Sequence, residues 1–160
     1  MGSLKRSYAH LMVILPIISV VYLTTLHFNI YQVEGDSMSP LLKSGSFLLV
    51  KKNKNKVRCK ITEQDIVVVK FYNKYLVKKV FGVSSTNLVL SGDSLTNNGE
   101  TIIISNTWKH KYVDPISNNF ILPPDSFLII GLNKTKSLDS RKVGPFHCYE
   151  LIGTYILHIN

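Results

Sequence analysis

One stretch near the N-terminus limits what this chain can become. From Ser7 to Val33 there is no Asp, Glu, Lys or Arg. The densest part, LMVILPIISVVYL from Leu11 to Leu23, is extended by TTLHF to Phe28. The 21 residues Tyr8–Phe28 make about 30 Å of helix, enough to cross a hydrocarbon core. Pro16 falls inside the run, where a membrane helix tolerates it. Tyr8 and Tyr22 suit the interfaces. A cleaved secretory signal calls for a shorter apolar core and a small-residue cleavage site, but this run leads into LHFNIYQVEG. A buried helix of a soluble domain calls for a polar face, and none is present. The reading favoured is a retained single-pass anchor over residues 8–28. Lys5 and Arg6 then hold residues 1–7 on the cytoplasmic or matrix side. Residues 29–160 lie on the opposite side, and no later stretch is long and apolar enough to span again.

The remaining residues suffice for one domain. Their pattern is short-period. Strands are expected at Ser46–Val50, Asp65–Tyr72, Tyr75–Gly82, Asn87–Leu90, TIIISN, KHKYV, Ser126–Ile130 and Leu151–Ile159. Asn73-Lys74 is the expected hairpin turn, SGDSLTNNG reads as a turn, and a short helical turn is expected near Met38–Leu42, where Pro40 suits a first turn. The fold class expected is mainly β: an N-terminal transmembrane helix, then a compact β-rich domain with no long amphipathic helix.

The chain carries 19 Lys plus Arg against 10 Asp plus Glu, a formal charge of +9. The run KKNKNKVRCK, Lys51–Lys60, concentrates six of those cations. It reads as an exposed loop; contact with an anionic membrane is the alternative. A nucleic-acid site is disfavoured, because no aromatics are interleaved. Cys59 and Cys148 make no disulfide framework and have no CxxC spacing, so no structural zinc is expected. GxxxxGK[ST], GxGxxG and HExxH are all missing, and the five histidines are dispersed. No metal and no cofactor is expected.

Three segments carry chemistry. EGDSMSP, Glu34–Pro40, sets a serine just past the anchor. VKKVFG, Val77–Gly82, puts two lysines side by side in an apolar strand pattern. Strand neighbours point to opposite faces, so one of Lys78 and Lys79 faces the apolar side, where desolvation lowers its pKa and makes it usable as a base. A lysine-blunted edge strand is the plainer reading. GLNKTKSLDSRKVGP, Gly131–Pro145, packs Ser137, Asp139, Ser140 and Arg141 into five positions, with Asp139 and Arg141 spaced for an ion pair.

In this order the three segments resemble the type I signal peptidases, the membrane-anchored serine–lysine class, and in particular their short mitochondrial inner-membrane form. GDSMSP is similar to that family's Gly-x-Ser-Met-x-Pro box, which implies that Ser37 is the nucleophile, flanked by Gly35, Met38 and Pro40. SGSFLLVKK resembles the next box. DIVVVK followed by KKVFG resembles the lysine box, which implies that Lys78 is the general base and that Lys79 stands at an arginine position. GLN and SLDSR resemble the last box, with Gly131 and Asn133 in its first part, and SLDSRKVGP is close to the organellar subfamily. The resemblance implies that Ser137 orients Lys78, that Asp139 and Arg141 pair to hold the loop, and that the backbone N–H of Ser37 serves the oxyanion hole. Some bacterial relatives have a serine where this chain has Gly35. Two departures stand out. Leu132 replaces the usual Asp, and a Pro-Gly-Asp expected after the lysine box is missing.

The implied activity is removal of N-terminal signal or sorting peptides from membrane-tethered preproteins, with small side chains at the first and third positions before the cut. The implied place is the mitochondrial inner membrane, the domain facing the intermembrane space. The implied partners are preprotein substrates, the lipid bilayer and a second catalytic or accessory subunit, with no nucleic acid. The alternatives are a bacterial-type enzyme with its domain outside the plasma membrane, or a non-catalytic anchored β-domain that scaffolds a protease complex.

Overall fold

The structure, a computed structural model, describes residues 2–114 and 120–159. The chain opens with helix α1 (Gly2–His27), which includes Pro16. Among the described residues ten strands follow: β1 (Phe28–Gln32), β2 (Phe47–Lys52), β3 (Ile66–Phe71), β4 (Lys74–Val83), β5 (Val89–Ser91), β6 (Ser94–Asn97), β7 (Glu100–Ile103), β8 (Ser126–Ile130), β9 (Phe146–His147) and β10 (Leu151–Ile159). Two short helices, α2 (Asn106–Lys109) and α3 (Ser140–Val143), interrupt them. The domain is mainly β, as its short-period pattern requires.

Within α1 the described side chains are those of His10 and residues 12–27, and the apolar ones from Met12 to Leu23 are exposed. Among the described residues no helix is long and apolar enough to cross a membrane. The expected segment 8–28 is helical through His27, and Phe28 already belongs to β1.

Seven strands form one antiparallel sheet in the order β1-β2-β10-β3-β4-β8-β9, and β5-β6-β7 form a second. β3 explains its three consecutive valines. It lies between β10 and β4, and Val67, Val68 and Val69 are all fully buried. Val67 and Val69 pack with Val80, Phe127, Ile129 and Phe146, whereas Val68 packs with Met38, Leu42, Leu48 and Val50. A strand apolar on both faces needs cover on both faces. A third cluster, around Phe81, Leu95, Trp108 and Leu128, joins the small sheet to the large one.

Three local expectations fail for identifiable reasons. KHKYV is not a strand: Ser105 caps α2 by accepting from Thr107 N, and the chain turns helically from there. Among the described residues, Val113 pairs with Phe120 in an isolated bridge. SGDSLTNNG is not all turn: Ser94–Asn97 forms β6, the central strand of the small sheet. Its one large apolar residue, Leu95, is fully buried. Cys59 and Cys148 are joined in a disulfide with their Cα atoms 5.2 Å apart. That bond ties the basic loop after β2 to the 3-10 turn Cys148–Glu150, a pairing that a separation of 89 residues hides from sequence reading.

Candidate active site

The Ser37 turn follows β1. Gly35 enters it at φ +79°, a conformation that strains other residues. Ser39 N then donates to Asp36 O and Leu42 N to Met38 O, closing the turn expected near Met38–Leu42. Met38 and Leu42 are buried in the cluster with Val33, Leu48 and Val50. Val33 before the bend and Met38 and Leu42 after it are packed in one cluster, so Ser37 is presented by a packed turn rather than a free loop.

Lys78 comes from β4, paired with Val67 of β3. Its residue is 3% exposed. Nζ donates to Ser37 Oγ at 2.7 Å and to Val77 O at 2.9 Å. Burial pulls its pKa down to about 8; the Asp139 charge opposes that fall and Arg141 assists it. Lys79 lies apart from Ser37: its Nζ meets the Glu100 carboxylate of β7 at 2.8 Å. Of the two adjacent lysines, Lys78 is the one beside the serine.

The segment after β8 closes round this pair. Asn133 N donates to Ser37 O at 3.0 Å, and Gly131 N donates to Asp139 Oδ2 at 2.8 Å. Gly131 has no room for a side chain: a Cβ there would lie 2.2 Å from Ser137 Oγ and 2.8 Å from Ser37 O. Asp139 is fully buried, caps α3 by accepting from Arg141 N, and takes both Nε and Nη2 of Arg141. Arg141 Nη2 also donates to Gly131 O. Burial alone would raise the Asp139 carboxyl. Hydrogen bonds from Arg141, Ser137 and the Gly131 amide, with the Arg141 charge, hold it below the ordinary value instead.

Two site residues behave differently from expectation. Ser137 is buried, and among the described residues its hydroxyl makes no hydrogen bond to Lys78; it acts on the Asp139 carboxyl instead. The second acceptor for Lys78 is the Val77 carbonyl. Leu132, at the position where the family resemblance implies Asp, packs on the apolar cluster of Met38 and Leu42. Dispersion and burial thus replace polar support at that position.

A cavity of about 470 Å³ leads to the pair, walled on one side by Tyr31–Glu34 and on the other by Asn73–Lys78. Sequence reading missed this groove. Its near wall grows from β1, whose residues lie inside the uncharged run and carry no alternation that separates them from the helix.

A family model, signal peptidase, peptidase S26, matches residues 5–159. Signal peptidase I V of Bacillus subtilis is 26% identical over 163 residues, covering 94% of this chain and 96% of that protein. Signal peptidase I of Bacillus caldolyticus is 30% identical over 139 residues, covering 79% and 76%. A solved signal peptidase I from Enterococcus faecalis is 18% identical, with a TM-score of 0.42, covering 61% of this chain and 97% of that one. The chain belongs to the signal peptidase family, peptidase S26. It is a serine endopeptidase of the signal peptidase I type. The relatives named here are bacterial.

Proposed function

We propose that the chain removes signal or sorting peptides from membrane-tethered preproteins, with Ser37 as nucleophile and Lys78 as general base. The observation that carries this reading is the 2.7 Å hydrogen bond from a buried lysine to an otherwise ordinary serine. Neutral Lys78 takes the Ser37 proton as Oγ attacks the scissile carbonyl. The Ser37 N–H stabilises the oxyanion. Lys78 then gives the proton to the leaving amine and repeats the exchange with the water that hydrolyses the acyl-enzyme. The substrate enters as an extended strand between Tyr31–Glu34 and Asn73–Lys78. Asp139, Arg141, Gly131 and Asn133 keep Ser37 and the loop in register.

In this reading α1 is the anchor. It keeps Ser37 close to the bilayer that holds the substrate, which raises effective concentration. The Cys59–Cys148 disulfide supports an oxidising compartment for the domain, hence the trans side. The bacterial relatives support a plasma membrane. The closing SLDSRKVGP supports the second reading, a mitochondrial inner membrane with a second subunit.

Purified full-length chain, given a preprotein and a serine-acylating probe, should cleave the one and carry the other on Ser37. Neither cleavage nor label in the folded parent would leave the anchored, non-catalytic β-domain as the better account.

A further inference from the structure

Two cavities lie side by side where α1 meets the sheet, away from Ser37. One, about 500 Å³, is an apolar groove lined by Thr24, Phe28, Ile30 and Leu49. The other, about 320 Å³, is lined by Lys51, Lys52, Lys54, Arg58 and Lys60, with His27, and no acidic residue lines it. The same strand pair builds both: Ile30 pairs with Leu49 and Phe28 with Lys51. Lys52 Nζ donates to Thr25 O at 2.7 Å and fixes the end of α1 at this junction. The basic wall is held in place from behind. Lys56 Nζ donates to Leu151 O, and the disulfide fastens Cys59 to Cys148. Among the described residues, Lys51, Lys54, Arg58 and Lys60 enter no salt bridge.

We infer that this junction is a binding site for an anionic glycerophospholipid. The acyl chains lie in the groove continuous with the exposed apolar side chains of α1, and the phosphate-bearing headgroup sits among the cations. Charge complementarity selects the headgroup. The adjoining apolar groove selects a lipid over a free phosphate or a nucleic acid, neither of which has a part to fill it. The inference rests on the reading of α1 as a membrane segment.

The test is native mass spectrometry of the full chain in neutral detergent with equimolar dioleoyl-phosphatidylglycerol and dioleoyl-phosphatidylcholine. The parent should retain the anionic lipid about fivefold over the zwitterionic one. Lys54→Gln/Arg58→Gln/Lys60→Gln should bring the ratio near parity. Lys43→Gln/Lys70→Gln/Lys111→Gln, an equal charge loss elsewhere, should leave it unchanged. Both triple variants should still cleave a soluble peptide as the parent does, which shows that they fold. Parity in the parent, or equal loss of preference in both variants, would overturn the site. Alkaline carbonate extraction of the parent checks α1 separately. Release with the lipid preference intact would sink the anchor and spare the site, and parity in a carbonate-resistant parent would do the reverse.

Discussion

Lys78 Nζ lies 2.7 Å from Ser37 Oγ, although the two residues are 41 positions apart in the chain. A packed turn holds one and a central strand of the sheet holds the other. If this pair does the chemistry, Ser37→Ala and Lys78→Ala should each lower kcat/KM on a preprotein by about 10³-fold or more. Far-UV circular dichroism should stay that of the parent. Lys79→Ala breaks only a part-buried pair with Glu100, away from Ser37, and should cost less than about tenfold. The opposite ranking of the two lysines would assign the base to the wrong one.

Gly131 makes a steric test of the loop. Gly131→Ala sets a methyl 2.2 Å from Ser137 Oγ and 2.8 Å from the Ser37 carbonyl. Backbone must move to admit it. Asn133 then loses its hold on Ser37, and kcat/KM should drop about 10²-fold, with KM changed far less than kcat. Full activity in Gly131→Ala would mean that the loop is looser than its contacts indicate.

The three chemical segments were legible because each is short and local. GDSMSP, VKKVFG and SLDSR fall on one site; the period-2 pattern leaves Lys78 and Lys79 as alternatives, and the family resemblance points to Lys78. What was not legible depends on long-range pairing. β1 hides in an uncharged run, because a strand and a helix of such residues look alike until a partner strand fixes them. Glu100 as the partner of Lys79 joins two different sheets, and Cys148 as the partner of Cys59 joins a loop to a distant turn, so no local pattern shows either. Trp108 gave no strand alternation because a capped helical turn buries it from one side.

Leu132→Asp would install the residue that the family resemblance implies at this position, and here it should do harm. Leu132 packs on the cluster that seats Met38. A carboxylate there loses that apolar contact and is desolvated against the cluster, costing about 1–3 kcal/mol. Thermal unfolding should fall by several degrees and activity should not improve. A gain in both would show that the apolar contact is a poor substitute.

The pH dependence joins the site's charges. In the proposed mechanism Lys78 acts when neutral, and its pKa is lowered from 10.5 to about 8, first by burial. About 10% of it is then neutral at pH 7 and about 90% at pH 9, so kcat/KM should rise roughly tenfold between them. The Asp139 charge works against that lowering and Arg141 works with it. Asp139→Asn should therefore move the limb to a pH below 8. The same change leaves the part-buried Arg141 without its carboxylate partner and should destabilise the fold on the order of 3 kcal/mol. In the parent, the Asp139 carboxyl is held below its ordinary value. Its stabilising contribution is therefore present above the ordinary carboxylate range and lost only as pH falls through the depressed value, whereas Asp139→Asn lacks it at every pH. Peptide cleavage profiles and urea unfolding of parent and Asp139→Asn measure both effects. A limb that moves up in Asp139→Asn, or a parent profile set by a group near 6.5, would remove Lys78 as the base and turn attention to His110, His147 or His158.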